Sequence, residues 1–149
     1  MATKDPRQKG MNWLTPYLTV SNPAASLAFY EKAFGFTPSF SLPGPDGNIV
    51  HAEMTYGGAT LIMFGPEGGC PAKTPAHSGV ESPVGLYVYC DDVDALVEKA
   101  RREGATVVSE PEEAFWGDRI ARLLDPDGHS WTFATKLRDF DASQMPPQS

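Results

Sequence analysis

The amino-acid sequence runs through the same order of elements twice, and that repetition restricts the fold more than any single motif does. In the first copy Leu14, Leu18 and Val20 share one parity and Thr15, Tyr17 and Thr19 the other, as in a strand with one face on a core. Asn22 is a suitable N-cap and Pro23 a suitable first helical residue, and Leu27, Phe29, Tyr30 and Phe34 form an apolar stripe that stops at Gly35. Residues 36–42, 49–56 and 59–64 read as three more strands, separated by the turn cluster Pro43 to Asn48 and by Gly57 and Gly58. Residues 65–83 are rich in Gly, Pro and Ser without a pattern, which marks a linker or a mobile lid. The pattern then restarts with a strand at 84–90, a capping pair Asp91 and Asp92, and a helix at 93–103 whose face is Val93, Leu96, Val97 and Ala100. Strands follow at 105–109, 119–124 and 129–135, the last two joined by the turn Asp125 to Gly128. Sliding one copy onto the other puts Val20 on Cys90, Asn22 on Asp92 and Ile62 on Thr132, a constant offset of 70 residues.

This order predicts an α+β fold of paired βαβββ units, a curved mixed-sheet cup with the helices outside. The expected organisation is one domain over 12–137, with a first unit at 12–65, a linker at 66–83 and a second unit at 84–137 between flexible tails at 1–11 and 138–149. A chain of 149 residues, 41% hydrophobic and 21% charged, is long and apolar enough to bury a core of that size. The net charge of −7 is spread along the chain, so nucleic acid, which needs clustered Lys and Arg, is not an expected partner. No apolar run is long enough to span a bilayer, and no apolar stretch follows the charged N-terminus, so the expectation is a cytoplasmic protein without membrane contact. The cysteines, Cys70 and Cys90, lack metal-type spacing and read as reduced thiols.

Several polar and aromatic residues fall on the strand face away from the expected core. His51 and Glu53 are two apart on a strand, share that face, and are the candidates for acid and base; the plain alternative is an exposed strand surface. Tyr17, Tyr87 and Tyr89 belong to the same parity, with Trp13, Phe115 and Trp116 near the rim, and such linings take planar or cationic molecules unless they pack the sheet or a dimer interface. Asp118 and Arg119 follow Trp116 and Gly117 directly and either hold a ligand's polar group or close a loop by a salt bridge. Cys70 and His77 lack a third orienting partner and carry no catalytic reading, His129 is expected at the surface, and the aspartates of Asp125 to Gly128 are expected to build the turn.

The segments LTPYLTVSNPAASLAFYEKAFGF, LYVYCDDVDALVEKARREGA and LLDPDGHSWTF resemble the vicinal oxygen chelate superfamily of glyoxalases, bleomycin resistance proteins and ring-cleaving dioxygenases. The likeness covers residues 13 to 136, and FWGDRIARLLDPDGHSW is most similar to the PhnB-like branch. It implies a homodimer and, in the metal-dependent members, ligands from the first and last strand of each unit. Those positions here are Thr15, Ile62, Gly85 and Thr132, which do not make a ligand set for zinc, nickel or iron. The expectation is therefore a small-molecule binding protein of the glyoxalase/bleomycin resistance type without a metal cofactor, holding a planar or cationic ligand in an aromatic cup or at a dimer interface. The alternative is a lyase or isomerase with a divalent metal at a non-standard site, or with His51 and Glu53 as acid and base.

Overall fold

The computed structural model describes residues 4–68 and 72–147, and the chain divides into two compact units, Met1–Thr74 and Pro75–Ser149. In the first, β1 (Tyr17–Val20) leads to α1 (Pro23–Phe29), which continues as a π-helical turn (Tyr30–Phe34), then β2 (Thr37–Pro43), β3 (Ile49–Tyr56) and β4 (Ala59–Pro66). In the second, a one-turn α2 (Pro75–Ser78) precedes β5 (Gly85–Tyr89), α3 (Val93–Arg102), β6 (Thr106–Glu113), β7 (Asp118–Leu124) and β8 (Ser130–Lys136), with a 3-10 turn at Ala142–Gln144. The strand orders are β1-β4-β3-β2 and β5-β8-β7-β6; in each sheet the first pair is parallel and the others antiparallel.

Each sheet buries one face beneath its helix. In the first unit Val20, Tyr30, Phe34, Phe36, Ala52, Met54, Ile62 and Phe64 form the core, and in the second Val93, Val97, Ala121, Leu123, Trp131 and Phe133 do so. The side-chain oxygens of Asn22 and Asp92 accept from the backbone N–H of Ala25 and Ala95, which fixes where both helices begin. The outer strands β2 and β6 carry prolines, Pro38 with Pro43 and Pro111, and both have irregular register; these features suit edges that should not recruit another strand.

The repeat is real, but its offset is not constant. Tyr17 pairs with Met63 and Tyr87 with Thr132, so the first strands lie 70 residues apart and the last strands 69. The change falls in the helix: Phe36 N–H donates to the carbonyl of Tyr30, whereas Ala105 N–H donates to that of Ala100, a loop one residue shorter. The π-helical turn therefore holds one residue that α3 lacks, which is how a helix absorbs a single insertion. The matching of Ile62 with Thr132 must be corrected accordingly. Ile62 is buried and corresponds to Trp131; the residue matching Thr132 is Met63, on the opposite face.

Segments outside the strands are also tied down. Thr60 N–H donates to Gly10 O, Asn12 Nδ2 to Thr60 O, and the Arg7 guanidinium lies 4.6 Å over the Trp13 ring. Leu137 and Arg138 both donate backbone N–H groups to Gly117 O. The turn Asp125 to Gly128 forms as expected, and Asp125 does more than cap it: its buried carboxylate accepts from Asp127 N, His129 N and Trp131 Nε1. A turn aspartate thus satisfies the buried indole N–H of the core tryptophan.

Candidate functional site

In the second unit the strand register sets Tyr87 beside Thr132 and Tyr89 beside Ala134, on the face not covered by α3. Asp118 begins β7 on that same face. Three donors converge on its Oδ2: Tyr87 Oη at 2.6 Å, Tyr89 Oη at 2.8 Å and Trp116 Nε1 at 3.2 Å, the last also within 3.2 Å of Tyr87 Oη. This convergence lets a carboxylate be 4% exposed, because each donor offsets part of the lost hydration. The rings above it stay open, Tyr87 at 46% and Tyr89 at 57% exposure, and meet edge to face with centroids 5.6 Å apart. Burial, then the bond to Asp118, pushes the Tyr87 hydroxyl up to about 12, and the bond to Asp118 raises that of Tyr89. Both phenols are held neutral over a buried negative charge.

Arg119 does not join this cluster. Successive strand residues point to opposite faces, so Arg119 turns toward the helix and binds Asp94 of α3 through two bonds of 2.7 and 2.8 Å. Its salt bridge joins strand to helix, and the adjacent Asp118 and Arg119 serve different sides of the sheet. Gly117 has φ +102°, and a Cβ there would collide with the Arg138 carbonyl oxygen, so the bend that aims Trp116 at Asp118 requires glycine.

The first unit carries a second polar chain. Tyr17 Oη lies 3.1 Å from His51 Nδ1 with the rings stacked at 5.6 Å, and His51 Nε2 lies 2.8 Å from Glu53 Oε2. An ionised Glu53 only accepts, so His51 Nε2 carries a hydrogen toward it, while Nδ1 faces the Tyr17 hydroxyl. Gly65 makes room for that hydroxyl: a Cβ there would stand 2.8 Å from Tyr17 Oη and 2.9 Å from the Val50 carbonyl oxygen. The sequence pattern places Gly65 only at the start of the Gly-, Pro- and Ser-rich segment 65–83, whereas in the structure it lies within β4.

The positions that hold metal in metal-dependent relatives do not fit one here. Gly85 has no side chain, Ile62 points into the core, Met63 opposite Glu53 offers a thioether, and Thr132 a hydroxyl. The Thr15 hydroxyl oxygen is buried without a hydrogen-bond partner among the described residues, a poor ligand where imidazole or carboxylate is needed. Among the described residues, no group of three or more His, Cys, Asp or Glu is placed to hold an ion. Of the cysteines, Cys70 lies outside the described residues, and burial raises the Cys90 thiol, which disfavours the reactive thiolate. No helix among the described residues is long and apolar enough to cross a membrane.

Residues 10–133 match the family model for the Glyoxalase/Bleomycin resistance protein/Dioxygenase superfamily, and the chain belongs to that family. An uncharacterised protein of Mycobacterium bovis is 35% identical over 135 residues, covering 89% of this chain and 88% of the relative. Among solved structures, TioX from Micromonospora sp. ML1 is similar with a TM-score of 0.67 and 26% identity, over 83% of this chain and 98% of that one. A glyoxalase/bleomycin resistance protein/dioxygenase family enzyme from Burkholderia phytofirmans PsJN shares the fold at TM-score 0.63 and 24% identity, over 81% and 95% of the two chains. The α+β fold of two four-stranded mixed sheets is the one this family uses.

Proposed function

We propose that this protein is a metal-free small-molecule binder of the bleomycin-resistance type, acting as a homodimer and taking a planar or cationic ligand on the Tyr87 and Tyr89 rings. The observation that carries this reading is the convergence of three donors on Asp118 Oδ2 beneath two open tyrosine faces. A carboxylate behind a ring adds negative potential to a face that already attracts cations, and water is partly excluded there. The likeness of residues 115–131 to the PhnB-like branch is in keeping with a binding role built from the Trp116 to Asp118 stretch. Titration with N-methylquinolinium, set against neutral naphthalene of similar shape, tests it through Trp fluorescence. The cation is expected to bind more tightly, and Tyr89→Ala to weaken it by about 1–3 kcal/mol, the range for stacking on one aromatic side chain. Equal binding of both probes, or indifference to Tyr89→Ala and Asp118→Asn, overturns the reading.

A second reading rests on Tyr17, His51 and Glu53. A carboxylate that orients an imidazole toward a phenolic hydroxyl is an arrangement for moving a proton, as a lyase or isomerase requires. Purification without chelator separates the variants of this reading: a stoichiometric divalent metal lost on His51→Ala would replace both the metal-free assignment and the acid-base one.

A further inference from the structure

A cavity of about 420 Å³ opens in the second unit between the segment from Pro75 to Ser82 and the face of β6, β7 and β8 away from α3. That volume is within the range, roughly 300–1,000 Å³, of small-molecule sites. Its wall is fixed rather than loose, because Ala76 N–H donates to Asp127 O at 2.9 Å, Pro75 packs on Gly128, and the Ser82 hydroxyl receives the N–H of Val84.

Arg122 lines this cavity. Within the same unit Arg101 is matched by Glu110 at 2.7 Å and Arg119 by Asp94 at 2.7 Å, yet the exposed Arg122 side chain has neither an ion pair nor a hydrogen bond among the described residues. The hydroxyl residues Thr106 and Ser130 line the same space, as do the apolar Val80, Val108 and Leu124. Two acidic residues border it: Asp125, whose carboxylate is engaged by Trp131 and the turn backbone, and Glu81. A guanidinium left unmatched in a chain of net charge −7, facing a half-apolar space, presents its fork of N–H donors to an incoming anion.

We propose that this cavity binds a small amphipathic anion, a carboxylate or phosphonate held by Arg122 with its apolar body against Val80, Val108 and Leu124. The site is separate from the tyrosine cluster: Arg122 lies four residues along β7 from Asp118, about 13 Å at ~3.3 Å per residue. It also selects the opposite charge, so the two proposals stand or fall apart.

Ligand-observed NMR on the intact protein tests it with phenylacetate, phenylphosphonate and the neutral phenylacetamide. The anions are expected to saturate and the amide to fail, and the stronger of the two anions identifies a planar or a tetrahedral acid group as the preferred one. Arg122→Gln should weaken the better anion roughly tenfold to a hundredfold, the worth of one charge-assisted hydrogen bond, with partial recovery in Arg122→Lys. Glu81→Gln should tighten binding by removing a nearby like charge. Val108→Trp, a change at a half-exposed position, should fill the cavity and abolish binding while circular dichroism stays unchanged. Failure of both anions to saturate, equal binding of phenylacetamide, or indifference to Arg122→Gln and Val108→Trp overturns the proposal.

Discussion

Tyr87 donates its phenolic hydrogen to Asp118 across 2.6 Å, the shortest of three bonds onto one carboxylate oxygen. Because burial and that bond raise the Tyr87 hydroxyl from 10.0 to about 12, the fold favours the neutral phenol. Its contribution to stability is complete below pH 10 and is lost as pH rises through 12. Tyrosinate absorbance should therefore show a late-titrating tyrosine in the wild type. In Asp118→Asn its midpoint should fall toward, but not to, the ordinary value, since burial remains. An unchanged midpoint would show that the carboxylate does not act on the ring.

The strand glycines Gly65 and Gly85 should behave in opposite ways. A Cβ at Gly65 meets the Val50 carbonyl oxygen and the Tyr17 hydroxyl, whereas one at Gly85 meets nothing within 4 Å. Gly65→Ala should cost about 1–3 kcal/mol in urea denaturation, and Gly85→Ala should stay within about 0.5 kcal/mol of wild type. Removing the Tyr17 hydroxyl relieves part of the clash, so Gly65→Ala and Tyr17→Phe should be less than additive in a double-mutant cycle.

The two helix caps make a matched pair. Asn22 Oδ1 accepts from Ala25 N at 3.2 Å and Asp92 Oδ1 from Ala95 N at 3.1 Å. Asn22→Ala and Asp92→Ala should each cost about 1 kcal/mol by chemical denaturation. A negligible cost for both would mean that neither side chain holds its helix end.

Gly117→Ala combines a left-handed backbone with a collision against the Arg138 carbonyl. A loss of about 1–3 kcal/mol is expected from the backbone alone. Trp116 emission should shift as the indole leaves Asp118, and a wild-type spectrum with wild-type stability would contradict the geometry.

Most of the architecture was legible because it rests on local rules. Alternation placed β3 at Ile49–Tyr56, caps placed Asn22 and Asp92, and proline with glycine placed the turn at Asp125. Parity put Tyr17, Tyr87, Tyr89, His51 and Glu53 on the face opposite their cores. What parity could not supply was which of these touch, since the bonds from Tyr17 to His51 and from Tyr89 to Asp118 span 34 and 29 residues. Adjacent charges misled for a related reason: Asp118 and Arg119 look like one feature in a linear string but face opposite sides of β7. Arg122 passed unnoticed between buried Ala121 and Leu123, though its isolation amid an apolar alternation was the available signal.

The one-residue misregister had a specific origin. Matching Ile62 with Thr132 treats the turns at Gly58 and Gly128 as equivalent, but the first closes a two-residue hairpin between Tyr56 and Ala59, and the second sits in a longer loop between Leu124 and Ser130. Glycine marks that the chain turns, not how many residues the turn contains.

The π-helical turn between Tyr30 and Phe34 sets a practical rule for recombining the halves of this molecule. A chimera that exchanges β2 to β4 for β6 to β8 needs no compensating codon, provided the junction follows Gly35 and Gly104. A crossover inside the helix keeps the register only if it joins the halves at the 70-residue offset before Tyr30 or at the 69-residue offset after Phe34; mixing the two presents every downstream side chain to the wrong side of its sheet.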